Sequence, residues 1–271
     1  MRRVVPGALA LALALAWGPA MSEAAEPVLL HAAGSLRAAL DEVAAAYEKQ
    51  TGVRVIAKYG ASGTLREEIE RGAGAEVFAS ANMEHPLMLA RAGKSSPVAL
   101  FARNQLCALA RPNVALTAAN LLDRMLQPQV KLGTSTPRAD PSGDYAWEMF
   151  RRADALRPGA FAALDQKALQ LTGAPSSATA PAGRSLYGML VSQGRADIFL
   201  TYCTNALEAM KENPGQRVIT LPDNLAVGAD YGLTVMSTAS PAAYRFALFI
   251  LSPDGQRILA SHGFAAPGVP R

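Results

Sequence analysis

Two segments near the start of the chain constrain its fold most, because each leads from an apolar strand-like stretch through small residues into an amphipathic helix. They lie at residues 32–36 and 59–65. Each places a serine, Ser35 or Ser62, where a helix begins and where backbone N–H groups lack intrahelical partners. The helix dipole is positive at such a point, so the pair predicts a cradle for an anion.

Apolar runs and helical spacing alternate along the rest of the chain, which indicates an α/β fold with parallel strands and helices on both sides. Strands are predicted at residues 28–33, 53–57, 77–81, 106–110, 130–133, 198–202, 218–221 and 233–236. Helices are predicted at residues 36–51, from 64 onward, and at 143–156, 183–193, 204–212, 241–251 and 254–262. Gly52 is expected to end the first helix. Thr64 and Glu67 are expected to form a capping box that leaves the Ser62 hydroxyl free.

The first residues have the pattern of a secretory signal peptide. A basic start precedes an almost wholly apolar run at residues 4–17 and small residues at 20–25. Cleavage is expected after Ala24 or Ala25, so residues 1–25 are assigned to the signal peptide. The alternative is an uncleaved anchor, but the run is shorter than the roughly 20 residues of a membrane span. We therefore expect an exported protein.

Composition argues against several other functions. The net charge is only +4, aromatic residues make up 6%, and no run of Lys or Arg exceeds two residues, so nucleic-acid binding is not supported. The three histidines lack zinc-ligand spacing, and no Walker A loop is present, so neither a metal site nor a nucleotide or other cofactor is expected. An exported hydrolase using Ser35 or Ser62 with His31 remains an alternative, although neither serine lies in a G-x-S-x-G elbow.

Five ordered segments resemble the periplasmic molybdate-binding proteins, a family of receptors for ABC importers. They are Ser35 before a helix and residues 62–65, 75–81, 141–143 and 198–206. The resemblance extends from about residue 27 to 264 and implies a type II periplasmic binding protein with two lobes, each a mostly parallel sheet flanked by helices. Lobe 1 would comprise residues 26–104 and 231–271, and lobe 2 residues 105–230, with hinge strands near 102–105 and 229–232.

The resemblance also implies a set of oxyanion ligands. Ser35 and Ser62 match serines that give a hydroxyl and a backbone N–H, Ser142 matches a backbone N–H donor, and Tyr202 matches a tyrosine hydroxyl. Arg184 stands where the family has an apolar residue, and its guanidinium would add a charged donor. The alternatives are that the serines only cap helices, that the tyrosine ring is core, and that the arginine faces solvent.

The implied function is a periplasmic receptor, expected to be monomeric, that binds molybdate or tungstate and delivers it to the membrane permease of an ABC importer. Sulfate and phosphate are alternative ligands. Hydrogen phosphate requires an acceptor such as a carboxylate, and none of the five matched positions is acidic. The sequence therefore favours a fully ionised dianion.

The two cysteines are candidates for a disulfide, because exported proteins form such bonds. Cys107 lies in a predicted strand of lobe 2 and Cys203 directly follows the strand that ends at Tyr202. Two separate buried thiols are the alternative.

Overall fold

The structure, a computed structural model, describes Met1 and residues 26–181 and 183–267. Apart from Met1, the predicted signal peptide lies outside the described residues. The strands are β1 (Val28–Ala33), β2 (Val55–Gly60), β3 (Val77–Ser80), β4 (Ala99–Ala110), β5 (Leu132–Ser135), β6 (Leu169–Thr172), β7 (Ile198–Tyr202), β8 (Arg217–Thr220) and β9 (Gly228–Val235). The helices are α1 (Arg37–Thr51), α2 (Ser62–Glu70), α3 (Glu84–Arg91), α4 (Leu121–Leu126), α5 (Pro141–Leu156), α6 (Ala160–Lys167), α7 (Leu186–Ser192), α8 (Cys203–Glu212), α9 (Pro241–Leu251) and α10 (Pro253–Ser261).

The strands form one curled sheet in the order β2-β1-β3-β9-β4-β7-β5-β6, with β8 also paired to β4. Strand β4 is 12 residues long and serves both halves of the sheet. Its first part pairs with β9, and its second part pairs with β7 and β8. We call the half with β1, β2, β3 and β9 lobe 1, and the half with β5 to β8 lobe 2. The residue boundaries of the lobes stay a prediction.

Parallel pairing is found where the sequence predicts βαβ units. Strands β1–β2, β1–β3, β5–β6 and β5–β7 are parallel, whereas each antiparallel pair includes β4 or β9. The fold is therefore the predicted α/β type II binding-protein fold, with antiparallel pairing confined to the two strands that link the lobes.

Each lobe has its own apolar core. In lobe 1, α1 buries Leu40, Val43 and Tyr47 at the predicted helical spacing. The helix ends at Gly52, whose φ of 73° is the left-handed conformation that glycine adopts without strain. In lobe 2, Phe150 of α5 packs in a separate core. Burying one large apolar side chain contributes about 1.5 to 3 kcal/mol, so these helix faces fix the helices to the sheet.

Several elements were not predicted from the sequence. Helices α3, α4 and α6 have only eight, six and eight residues, too few for the helical period to be distinctive. Strand β6 lies at the edge of the sheet and exposes Leu169 and Gln170. The first half of β4 was missed as well, because its pairing with β9 is a long-range contact.

A disulfide joins Cys107 to Cys203, with the Cα atoms 4.8 Å apart, which confirms the predicted pairing. Cys107 lies opposite Thr201 in the β4–β7 pair, and Cys203 begins α8. The bond therefore attaches the end of β7, where Tyr202 lies, to the strand that links the two lobes.

Within the described residues, no helix is both long enough and apolar enough to cross a membrane.

Candidate functional site

Ser62 is the first residue of α2 and is 1% exposed. The helix begins two residues earlier than predicted, with Ala61 as its N-cap and no side-chain cap, so the expected capping box of Thr64 and Glu67 is wrong. The Ser62 Oγ instead accepts a hydrogen bond from the backbone N–H of Ala81 at 3.1 Å. Accepting this bond leaves the hydroxyl hydrogen able to be donated.

Ser35 lies in a short 3₁₀ turn, Gly34–Leu36, between β1 and α1. Its Oγ is 3.0 Å from the Oη of Tyr231 on β9, and the same Oη accepts a bond from the Asn104 side chain of β4 at 3.3 Å. Asn104 also donates to the Thr204 hydroxyl at 2.8 Å. Ser35 is thus bonded to the strands that link the lobes.

Tyr202 ends β7 and is 2% exposed. Its hydroxyl donates to the carbonyl oxygen of Ala81 at 3.3 Å, across the junction of the lobes. Its ring lies 5.5 Å from the Tyr231 ring and 6.2 Å from the Tyr145 ring, centroid to centroid. Ala81 therefore contacts Ser62 through its N–H and Tyr202 through its carbonyl group.

The lobes also meet through their backbones at Gly63. Its N–H donates to the carbonyl oxygen of Ala139 at 3.0 Å. A Cβ at this position would lie 2.3 Å from the carbonyl oxygen of Arg138, a distance that nonbonded atoms do not adopt. Only glycine therefore permits this approach of α2 to the segment before α5.

Ser142 is the second residue of α5 and is fully buried. Its Oγ has no hydrogen-bond partner among the described residues. Its N–H, which the sequence assigns to a ligand, donates to Oδ1 of Asp140 at 3.0 Å, and Asp140 is the N-cap of the helix. Sequence reasoning missed Asp140, although an aspartate directly before Pro141 at a helix start is a recognisable capping signal.

Arg184 lies apart from the other four predicted residues. Its Nε donates to Oε2 of Glu212 at 3.0 Å, and its side chain is 59% exposed. Glu212 is the last residue of α8, and Tyr202 directly precedes the first. About 14 Å of helix therefore separates Glu212, the partner of Arg184, from Tyr202. The structure thus brings Ser35, Ser62, Ser142 and Tyr202 to the junction of the lobes but not the guanidinium of Arg184, whose role as a ligand remains an untested prediction.

Burial shapes the protonation of this region. It raises the pKa of Asp140 to about 6, against the lowering effect of hydrogen bonds from the Ser142 N–H and the Ser135 hydroxyl. Burial also raises the pKa of the Tyr202 and Tyr231 phenols, which therefore stay protonated near neutral pH. The Asp140 carboxyl group thus accepts hydrogen bonds from one amide and one hydroxyl donor, at Ser142 and Ser135.

His31 is buried in β1, where its Nδ1 has no hydrogen-bond partner among the described residues. Burial, followed by the nearby Lys58, lowers its pKa. The hydroxyls of Ser35 and Ser62 bond to Tyr231 and to the Ala81 N–H instead. Nothing here matches a serine–histidine catalytic pair.

In the described ranges, no three His, Cys, Asp or Glu side chains are grouped to hold a metal ion.

Two α/β lobes that share linking strands and meet at buried hydroxyls have the fold of one class, the type II periplasmic binding proteins. The chain belongs to the family described as bacterial extracellular solute-binding protein, whose model matches residues 28–265. Proteins of this family are solute receptors.

Three known proteins illustrate these similarities. The chain is 33% identical over 234 residues to the uncharacterized protein PM1146 of Pasteurella multocida, covering 86% of this chain and 96% of that protein. It is 26% identical over 259 residues to the molybdate-binding protein ModA of Mycobacterium tuberculosis, covering 91% and 87%. The sulfate-binding protein SubI of the same organism superposes with a TM-score of 0.73 at 18% identity, covering 90% and 88%.

Proposed function

We propose that this chain is a periplasmic receptor that binds a tetrahedral oxyanion, molybdate and also tungstate, between its lobes and delivers it to the permease of an ABC importer. The observation that carries the proposal is the position of four hydroxyl groups at the junction of the lobes. They belong to Ser35, Ser62, Ser142 and Tyr202. The proposed receptor needs no cofactor besides its ligand.

The chemistry of these groups suits an oxyanion. Ser62 and Ser142 lie in the first turns of α2 and α5, where the helix dipole favours negative charge. Hydroxyl groups donate directional hydrogen bonds to oxygen without adding net charge. Molybdate and tungstate are nearly equal in size and larger than sulfate, so a fixed set of donors selects them by the dimensions of the cavity. The similarity to ModA over most of both chains supports this ligand.

A second candidate is a receptor for sulfate or phosphate. The superposition on the sulfate-binding protein SubI supports sulfate as the alternative ligand, because the two proteins share the same fold. A hydrolase is not favoured, since the serine hydroxyls are bonded to groups other than His31.

Calorimetric titration with molybdate, tungstate, sulfate and phosphate tests the proposal. We expect molybdate and tungstate to bind with similar affinity and sulfate to bind more weakly. Ser35→Ala should weaken binding, because it removes a donor near the linking strands. Ser261→Ala is the matched control, since Ser261 is exposed on α10 and its hydroxyl donates within its own helix. If none of the four anions binds the unaltered protein, the proposed function is wrong.

A further inference from the structure

Asp140 places a carboxyl group beside the proposed oxyanion site, at the point where the lobes touch. The residue before it, Ala139, accepts the hydrogen bond from Gly63 of lobe 1. Its own Oδ1 accepts the Ser142 N–H at 3.0 Å. On the other side it lies against Gly173, where an added Cβ would be 2.6 Å from the Asp140 Cβ. The carboxyl group is therefore held in place by contacts on both sides.

Within the described residues, no cation is paired with the carboxyl group of Asp140. The ionisable side chains around it and its neighbour Asp144 include Arg138 in the preceding loop, Glu84 on α3, Asp144, Tyr145 and Arg151 on α5, Tyr187 on α7, Tyr202 on β7 and Tyr231 on β9. Burial raises the pKa of Asp144, whereas the charge of Arg138 lowers it, and the backbone N–H of Arg138 donates to the Asp144 carboxylate at 2.8 Å.

Ser142 provides a second, independent indication of a ligand at this place. Its hydroxyl is fully buried, yet its Oγ has no partner among the described residues. Buried hydroxyls are normally hydrogen-bonded, because leaving one unpaired costs free energy. A ligand oxygen beside Asp140 would pair with the Ser142 hydroxyl and would at the same time face the carboxyl group.

We propose that the site binds its oxyanion together with one proton, which is shared between an Asp140 carboxyl oxygen and an oxygen of the ligand. This inference rests on the proposed function. A carboxylate and an oxyanion in contact repel each other, and a shared proton converts the repulsion into a hydrogen bond. Hydrogen phosphate brings this proton itself, whereas molybdate takes it from solvent. The acceptor that is absent from the five sequence-predicted positions is thus present at Asp140.

The raised pKa of Asp140, about 6, makes proton uptake measurable. At pH 7.5 the free carboxyl group is mostly ionised, so binding molybdate should take up about one proton per anion. The molybdate affinity should fall about tenfold per pH unit above about pH 7 and level off below about pH 6. Phosphate should bind with little uptake at pH 7.5, because it already carries a proton.

Calorimetry in two buffers of different ionisation enthalpy counts the protons. Asp140→Asn keeps an oxygen to accept the Ser142 N–H, so the cap of α5 is retained. This variant should bind molybdate without proton uptake and without the pH slope. Asp144→Asn is the control, because Asp144 lies on the same helix, α5, and accepts the N–H of Arg138 instead of that of Ser142. This variant should leave the proton uptake intact.

The outcomes separate the two proposals. Molybdate binding with no proton uptake, or an Asp140→Asn variant that keeps both uptake and pH slope, would overturn the role of Asp140 and leave the receptor function standing. Failure of all four anions to bind the unaltered protein between about pH 5.5 and 8 would overturn the receptor function and this inference with it.

Discussion

The backbone N–H of Gly63 in lobe 1 donates to the carbonyl oxygen of Ala139 in lobe 2 at 3.0 Å. A second bond across the junction joins the Tyr202 hydroxyl to the carbonyl oxygen of Ala81. Both bonds lie next to residues proposed to bind the oxyanion, because Gly63 directly follows Ser62 and the Ala81 N–H donates to the Ser62 hydroxyl. Contact between the lobes and the proposed ligand binding therefore use the same surfaces, so we expect the ligand to hold the lobes together and ligand affinity to fall when this contact is disturbed.

Gly63→Ala should weaken oxyanion binding by at least tenfold. The added Cβ would lie 2.3 Å from the carbonyl oxygen of Arg138, so the lobes could not approach as closely. Small-angle scattering with saturating molybdate should show less compaction than in the unaltered protein. Gly74→Ala is the matched control, since its Cβ would meet Leu29 at an ordinary 3.6 Å. Equal compaction in both variants would contradict the importance of this contact.

Ser62→Ala and Ser142→Ala should differ in stability while both weaken binding. Loss of the Ser62 Oγ leaves the Ala81 N–H without its acceptor and should cost about 1 to 3 kcal/mol of unfolding free energy. Ser142→Ala removes a buried hydroxyl that has no partner in the described structure, so stability should stay the same or rise. Urea unfolding and anion titration of both variants measure the contrast. A stability loss in Ser142→Ala as large as in Ser62→Ala would show that its hydroxyl is bonded after all.

Arg184→Ala should leave oxyanion affinity within about twofold, because the guanidinium pairs with Glu212 and is largely exposed. Its exposed ion pair should contribute about 0 to 1 kcal/mol to stability. Glu212→Gln serves as the matched variant, since it removes the same ion pair from the other side. Titrations at low and high salt check the expectation. A salt-dependent loss of affinity confined to Arg184→Ala would instead place the guanidinium in the ligand site.

Stability should depend on the ionisation of Asp140 in a defined direction. Because the pKa of the folded-state carboxyl is raised to about 6, its ionised form is disfavoured in the fold, and stability should fall as pH rises from about 4 to about 6. Asp140→Asn removes this penalty and should be more stable than the unaltered protein at pH 8 by about 1 to 3 kcal/mol. The difference should vanish near pH 4. Thermal unfolding across this range measures it, and a constant difference would argue against a raised pKa.

Removal of the disulfide should destabilise lobe 2. The loop between Cys107 and Cys203 spans 96 positions, for which chain entropy gives about 4.7 kcal/mol as an upper value. Replacing both cysteines with serine should therefore lower the unfolding free energy measured in guanidinium. Protein purified without reductant should resist alkylation when denatured. Full labelling of both thiols under those conditions would show that the bond does not form in the exported protein.

Local patterns in the sequence determined much of this protein. The spacing of Leu40, Val43 and Tyr47 places α1 against the sheet, and Gly52 ends that helix, because both depend on residues within a few positions of each other. The positions of Ser35 and Ser62 after strands that pair with one another follow from the same βαβ pattern. The expected export and the presence of two cysteines favoured their pairing, which the structure contains.

Only the tertiary structure decided which distant groups meet. The partner of the Ser62 hydroxyl, the contact of Gly63 with Ala139 and the pairing of Arg184 with Glu212 each join segments far apart in the chain. No periodicity encodes such contacts, because they follow from how the sheet curls and how the two lobes meet. The position of Asp140 shows this most clearly. The sequence identifies it at most as a helix cap, and the approach of the lobes places its carboxyl group beside the proposed ligand site.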